Sequence, residues 1–462
     1  MIIQVENPLP SVDCNGDLFK HQGKYYRAFS AEKTKTFVKP LMESGLIEEL
    51  VNKKLMAPIK YSKDKIEGYS TVLEQDELAP VVYPYEWSFS MLKDCGEAFL
   101  KLAETANRYG YYLKDCHPYN FVFHEGSFLW VDLGSFCKDN EEFSGFLAMS
   151  EFLKQYYFLL KIWNKIDSFA ECLMNGKNIS LINMKKILSP LYHFLPRGIA
   201  FHLGKLLEMY YNLYGINYEG IERRNKSKVT SYVAKLVKAT FIPDNKRQFI
   251  KWARRLRKLK APQVPSQWGG YHDSVCIAED LRFCKIADLL RELKCESIME
   301  LAGNAGEFSL YLLKHEIAKQ IICTDLDYNA IDKLYIKISN NKLKGIIPAQ
   351  LDLMEPKVLG FAKLPFERYK SDVVLALAVT HHLILSNGYH LRDILEQIAK
   401  YSKKYFFIEF MPNGVWIKGQ EVSVPEWYNE KWFEDEFRKY FVLNRRVQLE
   451  PNRILFVGEI FS

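Results

Sequence analysis

Apolar and polar positions follow two rhythms along this chain. From residue 297 onward the apolar runs are short. Ser297–Leu301, Gln320–Thr324, Ile346–Leu351, Asp372–Val379 and Tyr405–Phe410 read as buried strands. Between them, Asn329–Ile338 and Leu391–Tyr401 carry apolar residues at helical spacing. Strands and helices in alternation predict a parallel sheet covered on both faces. The tail changes rhythm: Tyr440–Leu449 and Arg453–Ile460 flank Glu450-Pro451-Asn452 and predict a closing antiparallel hairpin.

The first half is less regular. Leu18–His21 and Lys24–Phe29 flank Gln22-Gly23 and predict a hairpin. Lys35–Lys39 predicts a third strand and Glu43–Lys54 a helix bearing Glu48 and Glu49. Phe89–Tyr109 is helical in pattern, and so is the aromatic-rich stretch from Glu142 to about Tyr214. Between these, Phe121–His124 and Phe128–Val131 meet at Glu125-Gly126 as a second hairpin.

Length and charge refine this picture. A chain of 462 residues predicts two domains, and 48% hydrophobic with 26% charged residues is a globular composition. No apolar stretch approaches membrane-spanning length, and the start lacks the basic-then-apolar pattern of a signal peptide. Nine cysteines without a Cys-x-x-Cys pair favour reduced thiols, so a cytoplasmic location is expected. The net charge of +7 is local: Lys246–Lys260 holds eight Lys/Arg and no acid. Phe249, Trp252, Leu256 and Leu259 recur there at helical spacing, predicting a basic amphipathic helix. It serves either as a solvated linker helix or as a contact for an anionic membrane or polymer; nucleic acid is disfavoured. Ala261–Gly270 contains two prolines and two glycines and marks a boundary. The expected domains are 1–245, a helix and linker over 246–265, and 266–462, with Trp268–Tyr271 as a lid.

The candidate chemistry lies where predicted strands end. After Ser297–Leu301 the turn Ala302-Gly-Asn304-Ala-Gly306 opens a helix, leaving bare backbone N–H groups for a ligand. Glu300 closes the first strand, Asp325 and Asp327 the second, Asp352 the third, and His381-His382 follow the fourth. Acids in these positions suit a nucleoside ligand at the carboxyl edge of an open α/β sheet.

Residues 266–462 resemble a class I S-adenosylmethionine-dependent methyltransferase. The resemblance rests on Glu-Leu-Ala-Gly-Asn-Ala-Gly at 300–306, Thr-Asp-Leu-Asp at 324–327, Leu-Asp-Leu at 351–353, Ala-Leu-Ala-Val-Thr-His-His-Leu at 376–383 and the closing hairpin. It implies a seven-stranded doubly wound sheet binding S-adenosyl-L-methionine. Glu300 and the turn of Ala302, Gly303, Asn304 and Gly306 would face the methionine part. Asp325 would hold the ribose with Asp327 beside it, and Asp352 the adenine amino group, flanked by Leu353 and Ala376. Ala302 and Asn304 stand where the family often has glycine. The chain lacks the Asn/Asp-Pro-Pro-Tyr/Phe stretch after strand four that the resemblance ties to amino-group methylation of bases or glutamine. An oxygen or carbon on a small molecule or carbohydrate is therefore the expected acceptor. His381 is the preferred base, since imidazole accepts protons near neutral pH, with His382 and Glu409 as competitors.

In the first half, Asp115-Cys-His117-Pro118-Tyr-Asn120 precedes one short strand and Asp132-Leu-Gly-Ser follows the next. A hairpin between them would gather two carboxylates and an amide, an oxygen set suited to Mg²⁺. Otherwise Asp115 and Asn120 bond their own backbone. This half resembles the kinase-like fold of aminoglycoside phosphotransferases, most strongly over 78–136, implying an α+β two-lobed domain using ATP and Mg²⁺. Asp115 would accept the substrate proton, Asn120 and Asp132 would bind metal, and His117 and Pro118 would shape the loop. Lys39 would pair with phosphate, partnered by Glu48 or Glu49. No glycine-rich loop stands where the nucleotide clamp belongs. A bifunctional or pseudokinase-assisted methyltransferase is expected; the alternative is a non-catalytic cofactor-binding scaffold.

Overall fold

The computed structural model describes residues 3–5, 8–9, 15–138, 151–165, 246–262, 277, 279–358, 360, 362–414 and 424–461. The expected lid, Trp268–Tyr271, and most of the aromatic helical stretch lie outside them. Two compact units emerge: Met1–Pro84 with Met91–Gln263, and Tyr85–Ser90 with Val264–Ser462. Among the described residues no helix is long and apolar enough to cross a membrane.

In the first unit β1 (Asp17–His21) and β2 (Lys24–Phe29) form the expected hairpin. Gln22 and Gly23 both turn left-handed, with φ of 47° and 75°, as a two-residue hairpin of this kind demands. The expected third strand over Lys35–Lys39 is absent. Thr34–Val38 is a π-helical turn running into a short helix, Lys39–Glu43. Ser30 caps the run by accepting from the Lys33 amide, and Pro40 fits a helix start but could not donate to a ladder. After α1 (Leu46–Asn52), the neighbour of β2 is instead β4 (Thr71–Asp76), with the two-residue β3 (Lys60–Tyr61) on its outer edge; the order is β1-β2-β4-β3.

Then come α2 (Phe89–Arg108), β5 (Tyr111–Leu113), the hairpin of β6 (Phe121–His124) and β7 (Ser127–Trp130), and β8 (Phe136–Lys138), paired with β5. Beyond α3 (Phe158–Lys165), the basic helix is α4 (Lys246–Arg257). Its stripe of Phe249, Trp252 and Leu256 is buried, and the Trp252 ring meets Phe152 and Tyr157 edge-on. The helix thus packs as part of the first unit.

The second unit begins its sheet after α5 (Leu281–Leu293). β9 (Ser297–Leu301), α6 (Glu307–Lys314), β10 (Gln320–Asp325), α7 (Tyr328–Asn341) and β11 (Ile346–Gln350) follow. Then come α8 (Pro365–Tyr369), β12 (Ser371–Ala376), α9 (Leu391–Lys400), β13 (Ser402–Phe410) and α10 (Glu430–Tyr440). β14 (Phe441–Glu450) and β15 (Arg453–Ile460) close the chain. The strand order is β11-β10-β9-β12-β13-β15-β14. β11, β10, β9, β12 and β13 pair in parallel, β14 runs in the same direction, and β15 alone is antiparallel between β13 and β14, the doubly wound sheet with closing hairpin that the resemblance implies. Ile298, Ile321, Leu375 and Phe407 fill one side of it beneath α5 and α6.

This unit also includes a piece of chain from far upstream. The Glu86 carboxylate, 2% exposed, receives both terminal nitrogens of buried Arg368 at 2.6 and 2.9 Å, and the Tyr369 hydroxyl at 2.7 Å. Four residues on, Asp332 of α7 accepts from the Ser90 amide at 2.7 Å and its hydroxyl at 3.0 Å. Nothing in the sequence of 85–90 announces this docking, because its partners lie over 240 residues away.

Candidate functional site

The site grows from the end of β9. Ala302 and Asn304 adopt φ of 52° and 50°, the left-handed region, as does Gly306 at 69°. At Gly303 a Cβ would stand 2.6 Å from Cys323 Sγ and 2.9 Å from Glu300 Cδ, so only glycine fits. The turn is pinned to β10: the Gly303 amide donates to Thr324 O at 2.8 Å and the Asn304 amide to Asp325 Oδ2 at 2.8 Å. Asp325 Oδ1 accepts from the Asp327 amide, and Asp327 Oδ1 caps α7 through Asn329. Asp352 Oδ1 braces the turn after β11, accepting from the amides of Met354 and Glu355.

These strand ends enclose a cavity of about 690 Å³. Glu300, Ala302, Gly303, Asn304, Asp325, Asp327, Asp352 and Leu353 line it, with His381 and His382 on the wall beyond β12. Gly306 and Ala376 do not. Gly306 sits at the start of α6, where a Cβ would strike Leu334, and Ala376 is sealed inside β12. Sequence inspection missed Arg282, Phe283, Glu307, Ser386 and Asn387, which also line the cavity. Glu307 was detectable as the first residue after the glycine turn. Arg282 was not: it is placed by its ion-pair partner, 127 residues away.

Electrostatics distinguish two regions of the cavity. Burial raises the Glu300 carboxyl to about 7, against a hydrogen bond from Ser309 Oγ that favours ionisation. Burial also raises Asp325, against three backbone hydrogen bonds. Asp327 Oδ2 is buried with no hydrogen-bond partner among the described residues. On the opposite wall, burial, then His382, Arg453 and Arg282, push His381 down to about 3. Burial lowers His382 too. The two ring centroids lie 4.0 Å apart, and His381 Nδ1 is buried with no hydrogen-bond partner among the described residues.

Glu409 differs from its expected role. It is fully buried outside the cavity lining, and Arg282 Nε and Nη2 grip its two oxygens at 2.8 Å each. Arg453 adds a third contact at 3.0 Å. Carboxylates so held are ion-pair partners and not proton acceptors, because protonation would leave buried guanidinium groups without a counter-charge. Asn413 has its amide on Asn452 Oδ1.

In the first unit, Asp115 is half exposed, and its carboxylate meets His117 Nε2 at 3.4 Å. This contact lowers Asp115; burial opposes but does not prevent a raised His117. The Asn120 side-chain amide donates to Asp115 O, a bond to local backbone. Asp132 accepts from the Gly134 amide and from Ser135 Oγ, and Arg27 Nη2 stands 3.5 Å from Oδ1. Lys39 is on an exposed helix beside Glu43, so the cation facing Asp132 is Arg27 from β2. Glu49, the other suggested partner of Lys39, is held down to about 2 by Lys53, Tyr109 and Arg108. Among the described residues no group of three or more His, Cys, Asp or Glu could hold a metal.

No protein-family model matches the chain. The nodulation protein NoeA of Rhizobium meliloti (strain 1021) is similar at 24% identity over 411 residues, covering 84% of this chain and 82% of that protein. Among solved structures, a SAM-dependent methyltransferase from Aquifex aeolicus is similar at 17% identity, covering 43% of this chain and all of that one, with a TM-score of 0.33. The PH0226 protein from Pyrococcus horikoshii OT3 matches at 16% identity, covering 41% and 98%, also with a TM-score of 0.33. The N-methyltransferase NodS from Bradyrhizobium japonicum WM9 matches at 12% identity, covering 40% and 99%, with a TM-score of 0.29.

Proposed function

We propose that the second unit is an S-adenosyl-L-methionine-dependent methyltransferase acting on a hydroxyl or carbon of a small molecule or carbohydrate. One observation carries this: a bare-backbone turn and acids from three successive strand ends converge on one cavity at the carboxyl edge of a doubly wound sheet. The residues present fit the cofactor. Gly303 lets a ligand approach the backbone, Asp327 Oδ2 awaits a donor, and burial holds the pKa values of Glu300 and Asp325 up, a shift that a nearby cation would relieve. The cavity volume lies within the usual range for such ligands, roughly 300–1,000 Å³.

When bound, the cofactor supplies an activated methyl group on a sulfonium. The chain's task is to hold it, align the acceptor and receive a proton. Asp325 and Asp327 take the ribose hydroxyls and Asp352 the adenine end. His381 enters the reaction neutral, with Nδ1 free to accept from an acceptor hydroxyl. Taking that proton as the positive charge on sulfur is discharged keeps the cavity's net charge constant. Glu409 acts at one remove, by fixing the Arg282 guanidinium on the cavity wall.

Calorimetry of the full chain with S-adenosylhomocysteine tests the assignment. Binding is expected, with loss on Gly303→Val; no heat at millimolar ligand from folded protein would end it.

For the first unit we propose a kinase-like binding module that does not transfer phosphate. What favours this over an active ATP- and Mg²⁺-dependent enzyme is the Arg27 guanidinium, a fixed cation 3.5 Å from Asp132 Oδ1, beside an Asp132 that also accepts from Ser135 and Gly134. The alignment with the nodulation protein spans more residues than either unit contains.

A further inference from the structure

We propose that Trp427 and Trp432 form a stacking platform for a pyranose ring beside the acceptor wall. The acceptor would then be an oligosaccharide, methylated on one sugar while a neighbouring sugar lies on the indoles. The proposal rests on the methyltransferase reading of the cavity and specifies its substrate.

Trp427 is 51% exposed, the only tryptophan so exposed among the described residues. It is nevertheless held firmly. Its ring meets Trp432 edge-on at 5.0 Å and 71°, and Tyr428 at 5.9 Å. Tyr428 is 2% exposed, its hydroxyl has no partner among the described residues, and its ring packs at 5.1 Å on Phe410, the last residue of β13. An indole braced on the end of a central strand is a preorganised surface, which lowers the ordering loss on binding.

Packing connects this surface to the cavity. A Cβ on Gly414 would lie 2.7 Å from Leu385 Cδ1 and 3.3 Å from Val424 Cγ1. Residues 414 and 424 therefore close on the turn His382–Ser386, whose His382 and Ser386 line the cavity. Val424 precedes Trp427 by three residues, a reach of about 10 Å at most.

The chemistry selects a neutral ligand with an apolar face. Two ion pairs lie near the platform, Arg446 with Glu430 and Lys431 with Asp435 at 2.7 Å, and the Glu426 carboxylate beside Trp427 is exposed. On the cavity wall Ser386 and Asn387 offer uncharged hydrogen bonds, and both histidines favour the neutral form. A pyranose presents a face of C–H groups to an aromatic ring and hydroxyls at its rim, matching both features.

The test uses the full chain, with and without S-adenosylhomocysteine, titrated calorimetrically with cellotetraose, chitotetraose and mannotetraose, and with the matching monosaccharides. At least one tetrasaccharide should bind, and at least tenfold more tightly than its monosaccharide. Trp427→Ala, at an exposed position, should weaken that binding at least tenfold while leaving S-adenosylhomocysteine affinity within twofold. Trp432→Ala, which removes the supporting edge, should weaken it less. The platform is overturned if no tetrasaccharide binds, if Trp427→Ala binds as wild type does, or if only alkyl glucosides bind, which would identify an acyl-chain site. Failure of S-adenosylhomocysteine to bind, with sugar binding intact, would instead count against the methyltransferase assignment.

Discussion

Glu300 joins a residue's acidity to both binding and stability. Its carboxyl is raised to about 7, chiefly by burial, against an unperturbed value near 4.5. Between those values the folded state holds the proton and the unfolded state does not. Stability from this group is therefore full below pH 4.5 and lost as pH rises through 7. Glu300→Gln should flatten that slope in urea titrations across pH 4.5–7. A cationic cofactor needs the ionised form, so its affinity should rise up to tenfold per pH unit towards 7 and then level off, more steeply than for the uncharged thioether product. His381 predicts a contrasting signature. At about 3 it contributes no acidic limb near neutrality. His381→Ala should nonetheless slow methyl transfer by roughly 10²–10⁴ with cofactor affinity unchanged; wild-type turnover would remove its proton-accepting role. Ala302 holds a conformation that disfavours any Cβ by roughly 1–2 kcal/mol. Ala302→Gly, after its own entropy loss, should stabilise by about 0.5–1 kcal/mol in equilibrium unfolding.

At the scale of elements, the Tyr85–Ser90 segment carries the clearest energetic expectation. Glu86 and Arg368 are a buried bidentate pair, and removing one partner strands the other charge. Glu86→Ala should cost about 3–5 kcal/mol, whereas Glu86→Leu with Arg368→Met should recover most of it. Chemical denaturation followed by fluorescence would read both, and an effect below 1 kcal/mol for Glu86→Ala would mean the pair is not a structural tie. This segment also marks the limit of what a sequence discloses. The strands of the second unit were legible because short continuous apolar runs and helical stripes are local, and their end acids fell at the cavity for the same reason. Glu409 looked like a free base since its position near a strand end is local information, while Arg282 and Arg453 are distant in sequence. Lys35–Lys39 misled for another reason. Its β-branched and aromatic residues suggested a strand, but Ser30 and Pro40 on either side of it set up a helix.

The whole molecule presents two units whose ligands can be told apart in one melting experiment. S-adenosylhomocysteine at 100 times its Kd should stabilise the second unit by about 2.7 kcal/mol. For a unit of this size that raises its transition by roughly 5–10 °C. ATP with Mg²⁺ should leave both transitions unmoved, because the Asp132 oxygens already accept from Ser135 and Gly134 and face Arg27. Arg27→Ala distinguishes the causes. If the guanidinium is what shields Asp132, the variant should gain a Mg²⁺-dependent shift; if the Ser135 and Gly134 bonds suffice, it should gain none. A shift with ATP and Mg²⁺ in the unaltered chain would restore phosphotransfer as the first unit's activity. Asp115, paired with His117 and half exposed, would then be the group to replace next.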